Sequence, residues 1–165
     1  MKIIETLMTQ LTQLRDGECA TQNAEQKDAT APLSVNWKTT DYAICGYHFD
    51  ISVPADKVVE AAKMMDAQGF TLDAITGVDW MAKGEFEVVY DFFHFLSLMR
   101  VVVRTRIPRA QPDIATISTV YPGANWHERE THDFFGIRFT GHPNLIPILL
   151  PEDATFHPLL KDFQA

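Results

Sequence analysis

A chain of 165 residues, 46% hydrophobic and 22% charged, is large enough to form one soluble domain with its own core. Its net charge of −8, from 14 basic and 22 acidic residues, disfavours binding to nucleic-acid phosphates or to anionic lipid. Two cysteines, Cys19 and Cys45, cannot supply the four ligands of an iron–sulfur cluster or of an all-cysteine zinc site. We expect free thiols in a reducing cytoplasm.

The N-terminal residues predict a helix followed by a polar segment. Apolar side chains recur at spacings of three and four over residues 3–14, as on one face of an amphipathic helix. We expect no signal peptide, because the N-terminal residues lack an apolar h-region. We expect no membrane span, because no window approaches roughly 20 apolar residues. Residues 16–34 carry almost no large apolar side chain. We therefore predict a helix over 1–15, a linker or loop over 16–36 and a single α+β domain over 37–165.

The middle of the chain predicts a strand, a helix and further strands. Apolar side chains alternate from Tyr42 to Val53, which indicates a strand. Pro54 suits the first turn of a following helix, and Gly69 is a natural stop for it. Residues 70–80 are expected to be extended, whereas residues 113–120 fit either a short helix or a strand.

Two alternating segments, 85–95 and 98–107, predict an antiparallel hairpin because only a short turn separates them. In the second segment Arg100, Arg104 and Arg106 share one face. They indicate either a solvated face or a docking surface, for an acidic partner or for the acidic helix that follows. Because the strands are grouped along the chain, we predict an α+β fold with a largely antiparallel sheet and helices packed on one face.

The C-terminal third begins with a short helix and continues as an extended, proline-rich tail. Asn125 is a suitable N-cap, and Glu128 completes a capping-box pattern three residues later. We expect the helix to end at Gly136 in a left-handed conformation. Arg129 and Asp133 are four residues apart, so we expect them to pair on the helix surface. The tail must lie against its own domain or against another subunit.

An ordered signature runs through this region. Its members are Glu128, Arg129, Glu130, Asp133, Phe134, Phe135, Gly136, His142, Pro143, His157, Pro158, Lys161 and Asp162. In these residues the chain resembles the thirty-kilodalton subunit family of respiratory-chain NADH dehydrogenase, which is the C subunit of NADH:quinone oxidoreductase (complex I). The same family includes the matching subunits of energy-converting membrane-bound hydrogenases and formate hydrogenlyase. The signature spans residues 128–163.

The resemblance implies a non-catalytic subunit without flavin, cluster or other cofactor of its own, so that oxidoreductase activity belongs to the whole complex. It implies a place in the peripheral arm, on the cytoplasmic side of the bacterial inner membrane, beside the forty-nine-kilodalton-like D subunit. The signature residues and a tail from about residue 137 would form the partner interface. The family usually has arginine where this chain has Ile146-Pro147 and Leu160, so two charged contacts are missing or become apolar.

Other interpretations of the same helix are weaker. His127 and His132 are five residues apart, whereas the zinc-hydrolase motif needs a spacing of four on one helix face. Glu128, Glu130 and Asp133 could form the general acid–base set of a stand-alone soluble enzyme. No nucleophile, cofactor loop or metal motif lies nearby, so an ion-pair network that fixes the helix is the better interpretation. Within the family, a hydrogenase branch stays open.

Overall fold

The computed structural model describes residues 6–7, 9–10, 12–13 and 35–164. The six described N-terminal residues are helical, and Leu7 is buried in the core. The other residues of the predicted N-terminal helix, and the polar segment 16–34, lie outside the described residues. The boundaries at residues 15 and 36 therefore stay predictions, although the first strand already begins at Asn36.

A five-stranded sheet carries the fold. Its strands are Asn36–Thr39 (β1), Phe49–Ser52 (β2), Thr71–Trp80 (β3), Glu85–His94 (β4) and Met99–Pro108 (β5). Their order across the sheet is β1-β2-β5-β4-β3. Only the β2–β5 neighbours are parallel in this sheet. A separate parallel pair joins Asp113–Ala115 (β6) to Arg138–Thr140 (β7). The predicted α+β fold with a largely antiparallel sheet is confirmed.

Three helices have both ends within residues 35–164. They are Tyr42–Cys45 (α1), Val58–Ala67 (α2) and Ala124–Phe135 (α3). The second follows a 3-10 turn at Ala55–Lys57 and buries Val58, Ala61, Ala62 and Met65. After it, Gly69 takes a φ of 79°. That conformation suits glycine, and it ends the helix where the sequence predicts.

The predicted strand from Tyr42 to Val53 is wrong in its first half. The Asp41 carboxylate accepts a hydrogen bond from the Ala43 amide at 2.9 Å and caps α1. Gly46, with a φ of 76°, ends that helix, and only β2 is extended. Local capping therefore overrides the alternating pattern, because an N-cap bond and a left-handed glycine define a helical turn whatever the side-chain alternation.

The two faces of the sheet differ in chemistry. The predicted β4–β5 hairpin is confirmed, and on one face its side chains are almost fully buried, as Val88 and Val101 illustrate at 0% exposure. Both long helices pack on this apolar face: α2 contributes its buried stripe to the core, and the Phe135 ring of α3 lies 6.3 Å from that of Phe86. The apolar face is therefore the core, as predicted from the period-two pattern.

The opposite face of the sheet carries a row of ion pairs between arginine and acidic side chains. Arg104 contacts Asp50 at 3.1 Å and Glu87 at 3.5 Å, and Arg106 contacts Glu85 and Glu87, both at 3.3 Å. Burial disfavours the charged form of Arg104, but Asp50, Tyr47 and Glu87 together outweigh it and raise the pKa of that guanidinium. The arginine stripe does not receive the acidic helix, because α3 lies on the other face of the sheet.

Candidate functional site

Helix α3 uses its buried charged side chains to hold other segments of the chain. Glu128 is fully buried. One carboxylate oxygen accepts the Ile117 amide at 2.8 Å, and the other accepts the Thr116 hydroxyl. The N-cap of the helix is Gly123, without a side-chain cap bond. The predicted capping box of Asn125 and Glu128 is therefore wrong, and Glu128 anchors the segment after β6 instead.

Burial raises the pKa of Glu128 to about 7, although the hydrogen bonds from Thr116 and Ile117 favour its charged form. His142 Nε2 lies 3.8 Å from a Glu128 oxygen. The same nitrogen contacts the Asn125 carbonyl at 3.2 Å, while His142 Nδ1 accepts the Asn144 amide at 3.1 Å. This arrangement describes a neutral imidazole with its proton on Nε2. Burial also lowers the pKa of His142, so Glu128 has no cationic partner there.

Arg129 attaches the start of the tail to the helix. Its Nε donates to the Ile146 carbonyl at 2.9 Å, and a terminal nitrogen donates to the Pro147 carbonyl at 3.0 Å. The guanidinium also stacks over the Trp126 ring, at 5.3 Å from its centroid. A guanidinium can satisfy two carbonyls at once because its donors lie in one plane. At this position the Ile146 backbone, not its side chain, is the contact.

Asp133 attaches the next turn of the tail. One of its oxygens accepts the amides of Ile148, Leu149 and Leu150 at 2.9, 2.7 and 3.1 Å. Burial opposes ionisation, but these three hydrogen bonds outweigh it and hold the pKa of Asp133 below its ordinary value. The predicted Arg129–Asp133 pair is thus replaced, since each side chain binds tail backbone. Charge-assisted bonds to backbone are stronger than an exposed ion pair on a helix surface.

The end of the helix fits against His157. Gly136 has a φ of 74° and ends α3 as predicted. A Cβ on Gly136 would lie 2.7 Å from the His157 ring. The His157 Nδ1 contacts the Asp133 carbonyl at 2.8 Å, and the Leu159 amide donates to the Phe134 carbonyl at 3.2 Å. The exposed helix end is therefore covered by the tail, which takes up two of its last carbonyls.

Asp79, at the end of β3, holds the last residues of the chain. Its buried carboxylate accepts the Lys161 amide at 2.9 Å and pairs with Arg109 at 3.2 Å. Arg109 also donates to Asp162, and this hydrogen bond lowers the pKa of the Asp162 carboxyl. Asp79 and Arg109 were not among the predicted site residues. The sequence does show an acidic and a basic residue near the ends of two strands. It does not show their partners, because Lys161 lies 82 positions after Asp79 and Asp162 lies 53 positions after Arg109.

The anchored tail turns apolar side chains outward. Large side chains at 37–58% exposure follow one another along it: Ile146, Leu149, Phe156, Leu159 and Phe163. We call these five residues the tail surface. Leu160, between them, is half-buried against the core. Of the signature residues, Glu130, Pro143, Lys161 and Asp162 are exposed, and Pro158 is half-buried. A groove of about 360 Å³ between β3 and α3 is lined by Glu130, Phe134 and Leu159, among others.

The geometry offers little to the alternative sites. Glu128 and Asp133 are committed to backbone and hydroxyl donors, and Glu130 lies on a different side of the helix. His132 Nδ1 contacts the Ile137 carbonyl at 2.9 Å. Among the described residues, no group of three or more His, Cys, Asp or Glu side chains is placed to hold a metal ion.

Comparisons with known proteins agree with the signature. The family model for the respiratory-chain NADH dehydrogenase, 30 Kd subunit, matches residues 51–165. A protein of Roseiflexus castenholzii, named as the C subunit of NADH-quinone oxidoreductase, is 38% identical over 117 residues, 68% of this chain and 67% of the relative. The C subunit of the F(420)H(2) dehydrogenase of Methanosarcina mazei is 36% identical over 115 residues, covering 68% of this chain and 73% of the relative. One chain of a membrane-bound sulfane sulfur reductase, an archaeal respiratory membrane complex, superposes with a TM-score of 0.73 at 27% identity and covers 97% of this chain and 85% of its own.

Proposed function

Because the chain belongs to the family of the respiratory-chain NADH dehydrogenase, 30 Kd subunit, we propose that it is a non-catalytic, structural subunit of a proton-translocating NADH:quinone oxidoreductase. In this proposal it lies in the peripheral arm, on the cytoplasmic side of the membrane. It binds the D subunit of the complex through its tail surface, and the redox chemistry belongs to the neighbouring subunits.

The observation that carries the proposal is the way α3 presents the tail. Arg129 and Asp133 make five hydrogen bonds in all to backbone groups of residues 146–150. An irregular segment held by buried charges is preorganised, so binding a partner costs less conformational entropy. The side chains of Ile146 and Leu149 point outward from this frame at 47% and 58% exposure. Exposed apolar side chains on an ordered backbone are typical of the central part of a protein–protein interface.

The non-catalytic role is supported by how the ionisable groups are used. The carboxylates of Glu128, Asp133 and Asp79 each accept hydrogen bonds from this chain's own backbone. None of them faces an open cleft as a general acid or base would. In the part of the chain that the structure describes, no helix is long and apolar enough to cross a membrane.

A second candidate has the same physical role in a different complex. Relatives named as subunits of an F(420)H(2) dehydrogenase and of a sulfane sulfur reductase complex share this fold or sequence. In this chain apolar Ile146 and Leu160 stand where the family usually carries arginine. A matching subunit of an energy-converting hydrogenase or formate hydrogenlyase would use the same tail surface against a hydrogenase-like large subunit.

The test is affinity purification of the tagged chain from gently solubilised membranes of its own host, with subunits quantified by mass spectrometry. We expect a D-type subunit and cluster-bearing subunits, whose identity separates the two candidates. Leu149→Asp should lose the D-type subunit, because it buries a charge in the interface. Lys63→Gln, on the exposed surface of α2 and outside the signature, lowers the net charge by the same single unit and is the control. Recovery of the wild-type chain alone, in the soluble fraction, would contradict the proposal.

A further inference from the structure

The β4–β5 hairpin ends in a strongly apolar turn. Phe95, Leu96 and Leu98 are 67%, 93% and 68% exposed. Three large apolar side chains in a four-residue turn are unusual, because hairpin turns ordinarily carry glycine, asparagine or aspartate. Exposed apolar clusters of this kind mark interaction sites.

The turn is rigid. His94 Nδ1 lies 2.8 Å from the Ser97 hydroxyl and accepts the Ser97 amide at 3.1 Å. Leu98 has a φ of 53°, the only positive φ of a non-glycine residue among the described residues. The left-handed region is unfavourable for leucine because its Cβ crowds the backbone carbonyl that follows. Such strain is retained where the surrounding structure or a function requires that side chain at that place.

Helix α1 extends the same surface. Strand β2 runs parallel to β5, and the His48 amide donates to the Arg100 carbonyl at 2.9 Å. This places α1 beside the hairpin turn. The Tyr42 ring stacks on His48 at 4.7 Å, and Ile44 is 82% exposed. We call Tyr42, Ile44, Phe95, Leu96 and Leu98 the tip surface.

Contacts between rings and a guanidinium connect the two halves of the tip surface. The Phe95 ring packs edge-on against Phe93 at 5.1 Å, and Arg100 lies over Phe93 at 5.6 Å from the ring centroid. The amide of Arg100 donates to His48, on which Tyr42 stacks. These contacts place α1 and the hairpin turn side by side at one end of the sheet.

Three charged side chains beside the tip surface carry a net charge of −1: Arg100, Asp73 and Asp41. Arg100 is paired with Asp73 at 2.9 Å, and exposed Asp41 caps α1. Insertion into an anionic lipid surface requires lysines and arginines around the apolar side chains. An acidic border with apolar side chains instead complements an apolar pocket edged by basic residues in another protein.

The tip surface lies far from the end of the tail. Lys161 and Asp162 are held by Asp79 and Arg109. Both of these residues lie at the ends of β3 and β5 that are farther from the tip surface. The ten-residue strands β4 and β5 separate the two places by about 30 Å at 3.3 Å per residue. A partner bound at the end of the tail therefore contacts the opposite end of the sheet from the tip surface.

We infer that the tip surface is a second docking site, which inserts into an apolar, basic-edged pocket of another protein subunit of the same complex. The inference rests on the proposed function for the presence of a complex. Beyond the proposed function, the inference gives the chain a bridging role, in which the sheet holds two different partner subunits at a fixed separation.

The test uses the tagged chain in its own host, as the replacement for the native copy, and quantifies each co-purified subunit per tagged chain. Leu96→Asp places a charge on the most exposed tip residue without touching the core, and Ile44→Asp does the same from α1. Leu149→Asp reports on the tail surface. Lys63→Gln, on exposed α2, lowers the net charge by the same single unit and is the control.

We expect both tip variants to lose at least 10-fold of one subunit that Leu149→Asp retains, with Lys63→Gln at the wild-type level. Tip variants with a wild-type subunit composition would overturn the inference and leave the proposed function intact. Loss of membrane-lipid binding with all subunits retained would identify a lipid contact and also overturn it. A fall of the isolated chain from dimer to monomer in Leu96→Asp would identify a second copy as the occupant and overturn the inference of a different subunit. Recovery of no subunit by the wild-type chain would overturn both proposals.

Discussion

Removing the charge of Asp133 tests how the tail is held. Asp133→Asn keeps the size of the side chain and one acceptor oxygen, but it replaces a carboxylate with an amide. The three amides of Ile148, Leu149 and Leu150 then donate to a neutral oxygen at the same distances of 2.9, 2.7 and 3.1 Å. We expect the tail to detach more often while the sheet stays folded.

The magnitude follows from the geometry. A hydrogen bond to a charged group contributes about 1.5–3 kcal/mol, against about 0.5–1.5 kcal/mol for a neutral one. The three bonds share one oxygen, and the freed amides can reach water, so their contributions do not add. We expect Asp133→Asn to cost about 1.5 kcal/mol of tail attachment, or about a 10-fold larger opening constant. Asp133→Ala should cost about 3 kcal/mol, or about 100-fold.

Hydrogen exchange followed residue by residue measures this opening directly, because local opening can occur without global unfolding. The amides of residues 148–150 should exchange about 10-fold faster in Asp133→Asn, while β4 and β5 keep their protection. Glu130→Gln removes the same charge from an exposed position of α3 and should leave all rates unchanged. Equal exchange of residues 148–150 in wild type and Asp133→Asn would refute the role of this carboxylate.

Other expected outcomes follow from buried groups elsewhere. Because burial raises the pKa of Glu128 to about 7 from an ordinary 4.5, the folded chain holds a proton that the unfolded chain has released between these values. Stability should therefore fall by up to about 3 kcal/mol as pH rises from 4.5 to beyond 7; denaturation of wild type and Glu128→Gln across this range should differ in slope, and coincident slopes would contradict the shift. A Cβ at Gly77 would lie 2.5 Å from the Phe135 ring, so Gly77→Ala should cost about 1–3 kcal/mol in denaturant unfolding. Gly123→Ala has open space around its Cβ, so it should lose far less stability relative to wild type. Equal losses of stability in Gly77→Ala and Gly123→Ala would count against the packing of α3 on β3. The purified chain should have no visible absorption band, and a flavin or cluster spectrum would overturn the cofactor-free proposal.

The parts of the fold that the sequence predicts are those with a local and repeating cause. The β4–β5 hairpin and its two faces follow from alternation over ten residues each, and α2 and its glycine stop from a helical stripe. By contrast, β1 is short and polar at an edge of the sheet, so its four residues carry no apolar alternation. Helix α1 is defined by one side-chain cap and one left-handed glycine, which weigh little against twelve residues of apparent alternation.

The signature residues could be located from the sequence, but their contacts could not. Arg129 and Asp133 have the spacing of a surface pair, yet both bind backbone 15–18 residues later in the chain. Glu128 has the position of a capping-box residue, yet its partners lie 11 and 12 residues earlier. Long-range backbone contacts leave no periodic trace, because any residue supplies an amide or a carbonyl. Their existence depends on how the tail folds back over α3.

The central claim is that the tail surface binds the D subunit of the complex, and site-specific photocrosslinking tests it most directly. A benzophenone amino acid in place of Phe156, which is 45% exposed on the tail surface, would be irradiated in native membranes. The same probe at Lys63, on exposed α2, is the control. We predict one adduct from position 156, which mass spectrometry identifies as the D subunit, and none from position 63. An adduct to an unrelated protein, or no adduct in membranes where the complex is assembled, would contradict the account.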